Sequence, residues 1–496
     1  MGLKIGGQVE RINGKELSYK DFVDNYLVNN QPVVLTGLMD DWRACKDWGF
    51  QDGKPNLHFF STHFGNSKVQ VAECGKREFT DQKRVEMSVS NFIDHWLAMS
   101  TKDSTDLSNC QENDESLLYL KDWHFVKEYP EYVAYTTPLL FRDDWLNLYL
   151  NSYHMHTDPG TYQETNEISC SDYRFVYMGA KGTWTPLHAD VFRSYSWSAN
   201  VCGKKQWHFL SPSQCHLVFD RNLKNSVYNI FDDVSDVKFP GFKKAIWMEC
   251  TQDRNEIIFV PSGWYHQVQN MEDTVSINHN WFNAQNLSYV WKLLLKDYNE
   301  AKEYIEDIRD ICEDFESLCQ RNLAANTGMN FSDFFSFMTR VALANIIQLY
   351  LNFKNTEKQL SSLSPSTQHL ILNLLSIKKV SLSMKLVDTE SSCSILDVRE
   401  VLKDPLFLEL CRDMEITYQM IYEHWTKCWD PIEHSRINFD ELELVDSNLC
   451  KMCRSEHLIR LIDNVFSHFG VDSSIENSVL VSQLDELEVF CNDSVV

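Results

Sequence analysis

The chain has 496 residues, 43% hydrophobic and 13% aromatic, which is enough for two or more domains with large cores. Its 46 basic and 71 acidic residues give a formal charge of −25; this argues against a phosphate-backbone binder, so no nucleic-acid partner is expected. A basic protein segment is a compatible partner, and so is the plainer reading of a solvated acidic surface.

Residues 1–150 read as a mixed α/β flanking region. Phe22, Tyr26 and Leu27 recur at helical spacing, and Pro32–Leu35 ending at Gly37 reads as a buried strand. A strand is expected over 69–71 and a helix over 89–99. The polar stretch 101–116 reads as a surface loop. Residues 151–283 form the second region, a run of short strands. Arg174–Met178 stops at Gly179, and Lys181-Gly182 turns. In 194–201, Tyr195, Trp197, Ala199 and Val201 alternate with Ser196, Ser198 and Asn200. Gly203 marks a turn into the return strand 205–210, a hairpin pattern. Strands follow at 256–260, 264–269 and 274–281, which suggests a sandwich or closed jelly roll. From residue 284 to 496 the periodicity is helical, beginning with Leu287, Val290, Trp291, Leu294 and Tyr298. Further helices are expected over 303–323, 331–351, 364–375, 398–422 and 456–469, with a polar, acidic tail after residue 473. The apolar run near 341–353 is interrupted by Asn345, Gln348 and Asn352 and is expected not to span a membrane. Fifteen cysteines without framework spacing, and an N-terminus without an apolar signal region, point to reduced thiols and a cytoplasmic or nuclear setting.

The chemistry concentrates in two stretches, 183–212 and 260–283. His188 and Asp190 stand at i and i+2, so on a strand both side chains point to one face. A histidine from another strand, His266, completes a two-histidine, one-carboxylate set, the ligand type that suits non-haem Fe(II) and leaves positions open. Short H-x-D triplets also arise by chance, so the surroundings must carry the assignment. Lys205 shares a strand face with Trp207 and Phe209; facing inward its charge demands an anion, facing outward it is an ordinary surface lysine. Thr274, Ser276, Asn278 and Asn280 line one face of the last strand, toward either ligands or solvent. Two weaker candidates are His154-Met155-His156-Thr157-Asp158, which lacks strand context, and Cys450-x-x-Cys453 with His457, which is half a zinc site. Cys312 and Cys319 share a helical face and read as core.

TPLHAD, GKKQW-x-F-L-x-P, VPSGWYHQV and N-x-N-W-F together resemble the JmjC family of 2-oxoglutarate- and Fe(II)-dependent oxygenases, in its small hydroxylase branch. The resemblance covers roughly 170–283 closely and 15–150 more loosely. It implies an α+β fold: a double-stranded β-helix, the JmjC/cupin-like jelly roll, with N-terminal α/β flanking elements and a helical C-terminal region. It also implies that His188, Asp190 and His266 bind Fe(II) and that Lys205 anchors the 2-oxoglutarate carboxylate. Thr185, Asn278, Asn280 and Ser198 fall at further cosubstrate positions. Pro186 must distort the strand for Thr185 to face the site, and Ser198 stands where relatives carry Asn. Cofactors would be Fe(II), 2-oxoglutarate and O₂. The implied reaction is hydroxylation of a lysine C–H in a protein substrate, a translation release factor, with succinate as coproduct. Histone lysine demethylation, or a silent binding scaffold, are the competing functions.

Overall fold

The computed structural model describes residues 2–102, 117–155, 172–355, 364–386, 395–422 and 451–471. Most of the polar stretch 101–116, the residues His156 to Asp158, Cys450 and the acidic tail lie outside the described residues. The chain divides into two compact units, one of residues 1–138 with 172–280, the other of 139–171 with 281–496.

Two sheets make up the first unit. One has four strands: β1 (Lys4–Gln8), β10 (Ile246–Gln252), β9 (Lys205–Leu210) and β12 (Tyr265–Asn270), in that spatial order. The other has nine, in the order β2 (Glu10–Asn13), β3 (Val33–Thr36), β11 (Glu256–Val260), β8 (Tyr195–Cys202), β13 (Thr274–Trp281), β7 (Arg174–Gly179), β6 (Leu118–Trp123), β4 (Lys68–Glu78) and β5 (Asp81–Ser88). Most pairs are antiparallel, with β1–β10 and β2–β3 parallel. The sheets pack face to face through Trp207, Phe209, Cys250 and Val268 of one and Val34, Ile258 and Val260 of the other. This is the jelly-roll sandwich expected from many short strands and tight turns.

The turn at Gly203 does not close the hairpin expected from sequence. β8 pairs with β11 in the nine-stranded sheet, whereas β9 pairs with β10 and β12 in the other. The chain therefore crosses between sheets at Gly203. Alternation reports which side chains share a face but not which strand is the neighbour, so it could not separate a hairpin from a crossover. The strand expected over 69–71 is the start of the longer β4, whereas β5 and β10 carried no clear pattern and were not expected.

Every residue of β8 is buried, because both its faces are covered. On the outer face Tyr195 donates to the Leu27 carbonyl (2.8 Å) and Trp197 lies against Trp42 (ring centroids 6.3 Å apart). The short helix Tyr19–Phe22, capped by Ser18, brings Phe22 edge-on to Phe259 on the same side. Aromatic residues of the N-terminal region thus cover the outer face, and the polar row Ser196, Ser198 and Asn200 is turned to the interior.

The second unit is helical. Leu287–Tyr304 buries Leu287, Val290, Trp291, Leu294 and Tyr298, the residues whose spacing predicted it. Trp291 and Tyr298 pack on Phe331, which opens the long helix Phe331–Asn355. Its first 23 residues are long and apolar enough to cross a membrane, more than the shorter run read from sequence, but 83% of the best window is buried inside the unit, as in a core helix. The expected 303–323 helix is interrupted by the 3-10 turn Glu306–Ile311 and restarts at Phe315, capped by Asp314. Cys312 therefore falls in an extended linker instead of sharing a helical face with the buried Cys319. Likewise Asp404-Pro405 divides the expected 398–422 helix, because proline is accepted at a helix start and not within one.

Gly203 has φ +70, and a Cβ added there would stand 2.1 Å from the Asp273 carbonyl oxygen, in the turn between β12 and β13. Two sheet-crossing turns thus touch at a position that only glycine fits. Gly203→Ala is expected to lower stability by at least about 1 kcal/mol, read as a lower denaturant midpoint at unchanged slope.

Candidate metal and cosubstrate site

His188 follows an irregular segment that runs antiparallel to β12. Thr185 N–H donates to the Val268 carbonyl (2.9 Å), and Asn270 N–H to that of Thr183 (2.8 Å). Pro186 breaks the regular ladder. At its end His188 and His266 exchange both backbone hydrogen bonds, His188 N to His266 O at 3.1 Å and His266 N to His188 O at 2.7 Å. Directly paired residues project to the same side of a sheet. Their rings accordingly lie with centroids 4.4 Å apart.

Each imidazole is oriented by its own backbone. His188 Nδ1 lies 2.8 Å from the Pro186 carbonyl and His266 Nδ1 3.1 Å from that of Trp264. A carbonyl can only accept, so Nδ1 of each ring carries the proton and the Nε2 lone pair is left for a ligand. Burial, then the neighbouring His188, push the His266 pKa down, so this ring is held neutral, the ligating form. Asp190 supplies the third donor. Its Oδ2 accepts from Ser196 Oγ at 2.7 Å, which leaves Oδ1. The three potential ligand atoms lie within 4.8 Å of one another, and among the described residues no other such cluster of His, Cys, Asp or Glu occurs. Cys453 Sγ is 3.7 Å from His457 Nδ1, without a third donor in the described residues.

Lys205 points inward, as its alternation with Trp207 and Phe209 allowed. It is 2% exposed, and its ammonium donates to Ser276 Oγ (2.7 Å), with Tyr119 Oη at 3.5 Å. Among the described residues no carboxylate pairs with it, and burial alone pulls its pKa down to about 7. The neighbouring Lys204 points outward to Asp253 (3.0 Å). A buried lysine held only by hydroxyls is a poor structural element and a ready receptor for an anion. This is the feature that fits the implied diacid.

The remaining candidates occupy distinct places. Thr185 Oγ1 accepts from Val268 N–H (3.2 Å), which leaves its own proton to donate. Asn278 Nδ2 donates to Ser276 Oγ (3.2 Å), so Ser276 joins Asn278 to Lys205. Ser198 Oγ is buried without a partner among the described residues. Asn280 donates to Ser194 Oγ (3.2 Å), about 13 Å along β13 from Ser276, toward the Asp190 end. Sequence reasoning missed Tyr119 and Ser196 as site residues and left Ser276 open between ligand and solvent. Ser276 and Ser196 were legible as members of polar alternating rows. Tyr119 lies on β6, remote in sequence, and carries no local signal.

These features define a class: a jelly roll that carries a two-histidine, one-carboxylate cluster and a buried lysine in one sandwich. Residues 19–287 match the family described as cupin-like domain. The chain is 56% identical over 471 residues, 94% of its length and 99% of the relative's, to an Arabidopsis thaliana protein named arginine-specific demethylase JMJ20. Over 347 residues (69% of this chain, 77% of the relative) it is 37% identical to a Danio rerio protein named 2-oxoglutarate and iron-dependent oxygenase JMJD4. The Homo sapiens protein of that name is 33% identical over 336 residues (67% and 75%). The chain belongs to the JmjC family of cupin-like, 2-oxoglutarate and iron-dependent oxygenases.

Lys205 gives this site a pH signature. In the unfolded chain a lysine titrates near 10.5, and here near 7, so between these values the unfolded state binds more protons and stability rises with pH. The destabilisation by Lys205 is fully present below about pH 7. Lys205→Met is therefore expected to raise the melting temperature at pH 6.5 and to lose that advantage by pH 10, checked by paired thermal melts. A dicarboxylate that meets the charged amine must draw a proton into the site, so 2-oxoglutarate binding at pH 8 is expected to take up protons. Calorimetry in buffers of different ionisation enthalpy reads this uptake, and Lys205→Met should abolish it.

Proposed function

We propose that this chain is a 2-oxoglutarate- and Fe(II)-dependent protein hydroxylase whose target is a lysine C–H of a translation release factor. The observation that carries the reading is the convergence of His188, Asp190 and His266 within 4.8 Å, in the same sandwich as a buried lysine that no carboxylate among the described residues neutralises. Further support comes from relatives named 2-oxoglutarate and iron-dependent oxygenase. The setting proposed with this substrate is the cytoplasm.

In this reading His188 and His266 hold the ion through Nε2 and Asp190 through Oδ1. Lys205, Ser276 and Tyr119 receive the distal carboxylate of the oxoacid, and Thr185 and Asn278 add hydrogen bonds. When bound, the iron, 2-oxoglutarate and O₂ supply the oxidant that turns C–H into C–OH, with succinate and CO₂ released. The protein's share is placement and exclusion of water. The indoles and rings of Trp207 and Phe209 stack (5.5 Å) and flank His266, which keeps this side of the cluster dry. The chain's acidic excess suits a basic substrate segment.

A second reading has a specific observation behind it: the 56% identical relative is named an arginine-specific demethylase. The same centre that hydroxylates a methyl group on nitrogen would release it as formaldehyde. Mass spectrometry of protein substrates separates the two, since a lysyl hydroxylase adds one oxygen that persists and a demethylase removes a methyl group. His188→Ala and Asp190→Ala are each expected to abolish 2-oxoglutarate turnover and either product. Retained turnover in both variants would refute the assigned centre.

A further inference from the structure

We propose that Ser196 is a positioning residue that restricts Asp190 to one-oxygen ligation and so keeps a position on the metal open. The inference rests on the metal reading above and concerns a side chain that touches no reacting atom.

The two partners sit on unlike supports. Asp190 precedes a 3-10 turn, Val191–Arg193, anchored by Arg193 N–H to the Asp190 carbonyl (3.1 Å) and Ser194 N–H to that of Val191 (2.9 Å). These bonds fix its backbone and leave the carboxylate free to rotate. Ser196 sits on β8, between β11 and β13, in register with Val260 and 8% exposed. From this rigid strand its hydroxyl donates to Asp190 Oδ2 at 2.7 Å. The bond therefore supplies from a second element the restraint that the turn lacks.

Carboxylates bind cations through one oxygen or two. A facial set of three protein donors leaves three positions of an octahedral ion. A cosubstrate chelating through two atoms and a dioxygen need all three, and a two-oxygen aspartate would remove one. A hydroxyl that occupies Oδ2 opposes that second contact. Hydrogen bonds to a ligating group typically change metal affinity about 10–100-fold when removed.

The test is titration of metal-free protein with Co(II), whose visible absorption reports coordination number as well as occupancy. Ser196→Ala is expected to raise the Co(II) dissociation constant about 10–100-fold and to change the intensity of the visible bands. Ser196→Thr, which keeps the hydroxyl, is expected to restore both. A merely structural serine would shift the melting temperature and leave the Co(II) spectrum as in the wild type. An alanine variant within twofold of wild-type affinity with an unchanged spectrum overturns the Ser196 role. Wild-type protein that takes up no Co(II), or takes it up equally well as His188→Ala, instead overturns the metal reading and this inference with it.

Discussion

The reciprocal pair of backbone hydrogen bonds between His188 and His266 is the constraint on which the site depends. It joins two segments remote in sequence and sets both side chains on one side at the distance of a directly opposed pair. The carbonyls of Pro186 and Trp264, two residues before each histidine, then turn the rings alike. Orientation of the donors is therefore a backbone property and does not rest on mobile side chains. Asp190, displaced by two residues onto a turn, is the one donor that needs outside help, and Ser196 supplies it.

A sandwich interior is ordinarily apolar, and here its two ends differ. Around His266 the walls are Trp207 and Phe209, themselves packed in one cluster with Ile258 and Val260. Around Lys205 they are Ser276, Tyr119 and Asn270, with Thr183 bound to Asn270 (2.8 Å). Ser198 Oγ, Asn200 Oδ1, Asn270 Oδ1 and Thr274 Oγ1 are buried without protein partners among the described residues. A buried polar group left without a partner costs about 1–3 kcal/mol. One end of the interior is thus apolar, and the other carries Lys205 with its row of buried polar groups.

The same logic explains what could be read in advance. Helices such as Leu287–Tyr304 were legible because one face alone is buried and the 3.6-residue period survives. The i, i+2 spacing of His188 and Asp190 was read on a regular strand, whereas both lie in an irregular segment with one bridge at His188, just before the Val191–Arg193 turn. The sandwich itself followed from short strands and turns, but the neighbour of each strand did not, as the crossing at Gly203 demonstrates. The facing of β8 was hidden for another reason. Alternation separates the two faces of β8 without saying which is inner, and the aromatic outer cover leaves Ser196 and Ser198 on the inner face, both buried. Tyr119 lay beyond reach, since only the register Tyr119 to Gly179 across β6 and β7 brings it near the β13 hydroxyls.

Strain is placed at the same rim. Phe192 and Arg193, two and three residues after Asp190, both adopt left-handed φ (+56° and +52°) although neither is glycine. Such residues cost about 1–3 kcal/mol each and persist only when the surroundings impose them. Phe192 is pinned edge-on to Tyr173, and Arg193 is held by the Tyr265 hydroxyl (3.2 Å) and ring. Tyr265 immediately precedes His266, so the restraint on one side of the carboxylate is tied to the strand that carries the second histidine. Across the barrel, β6 bulges at Lys121 and Asp122, with Asp122 at φ +56°, and this aims Asp122 at Arg84 and at the Tyr177 hydroxyl (2.6 Å). The turn after Asp190 thus fixes the backbone from which the carboxylate projects, while Ser196 Oγ holds the carboxylate itself.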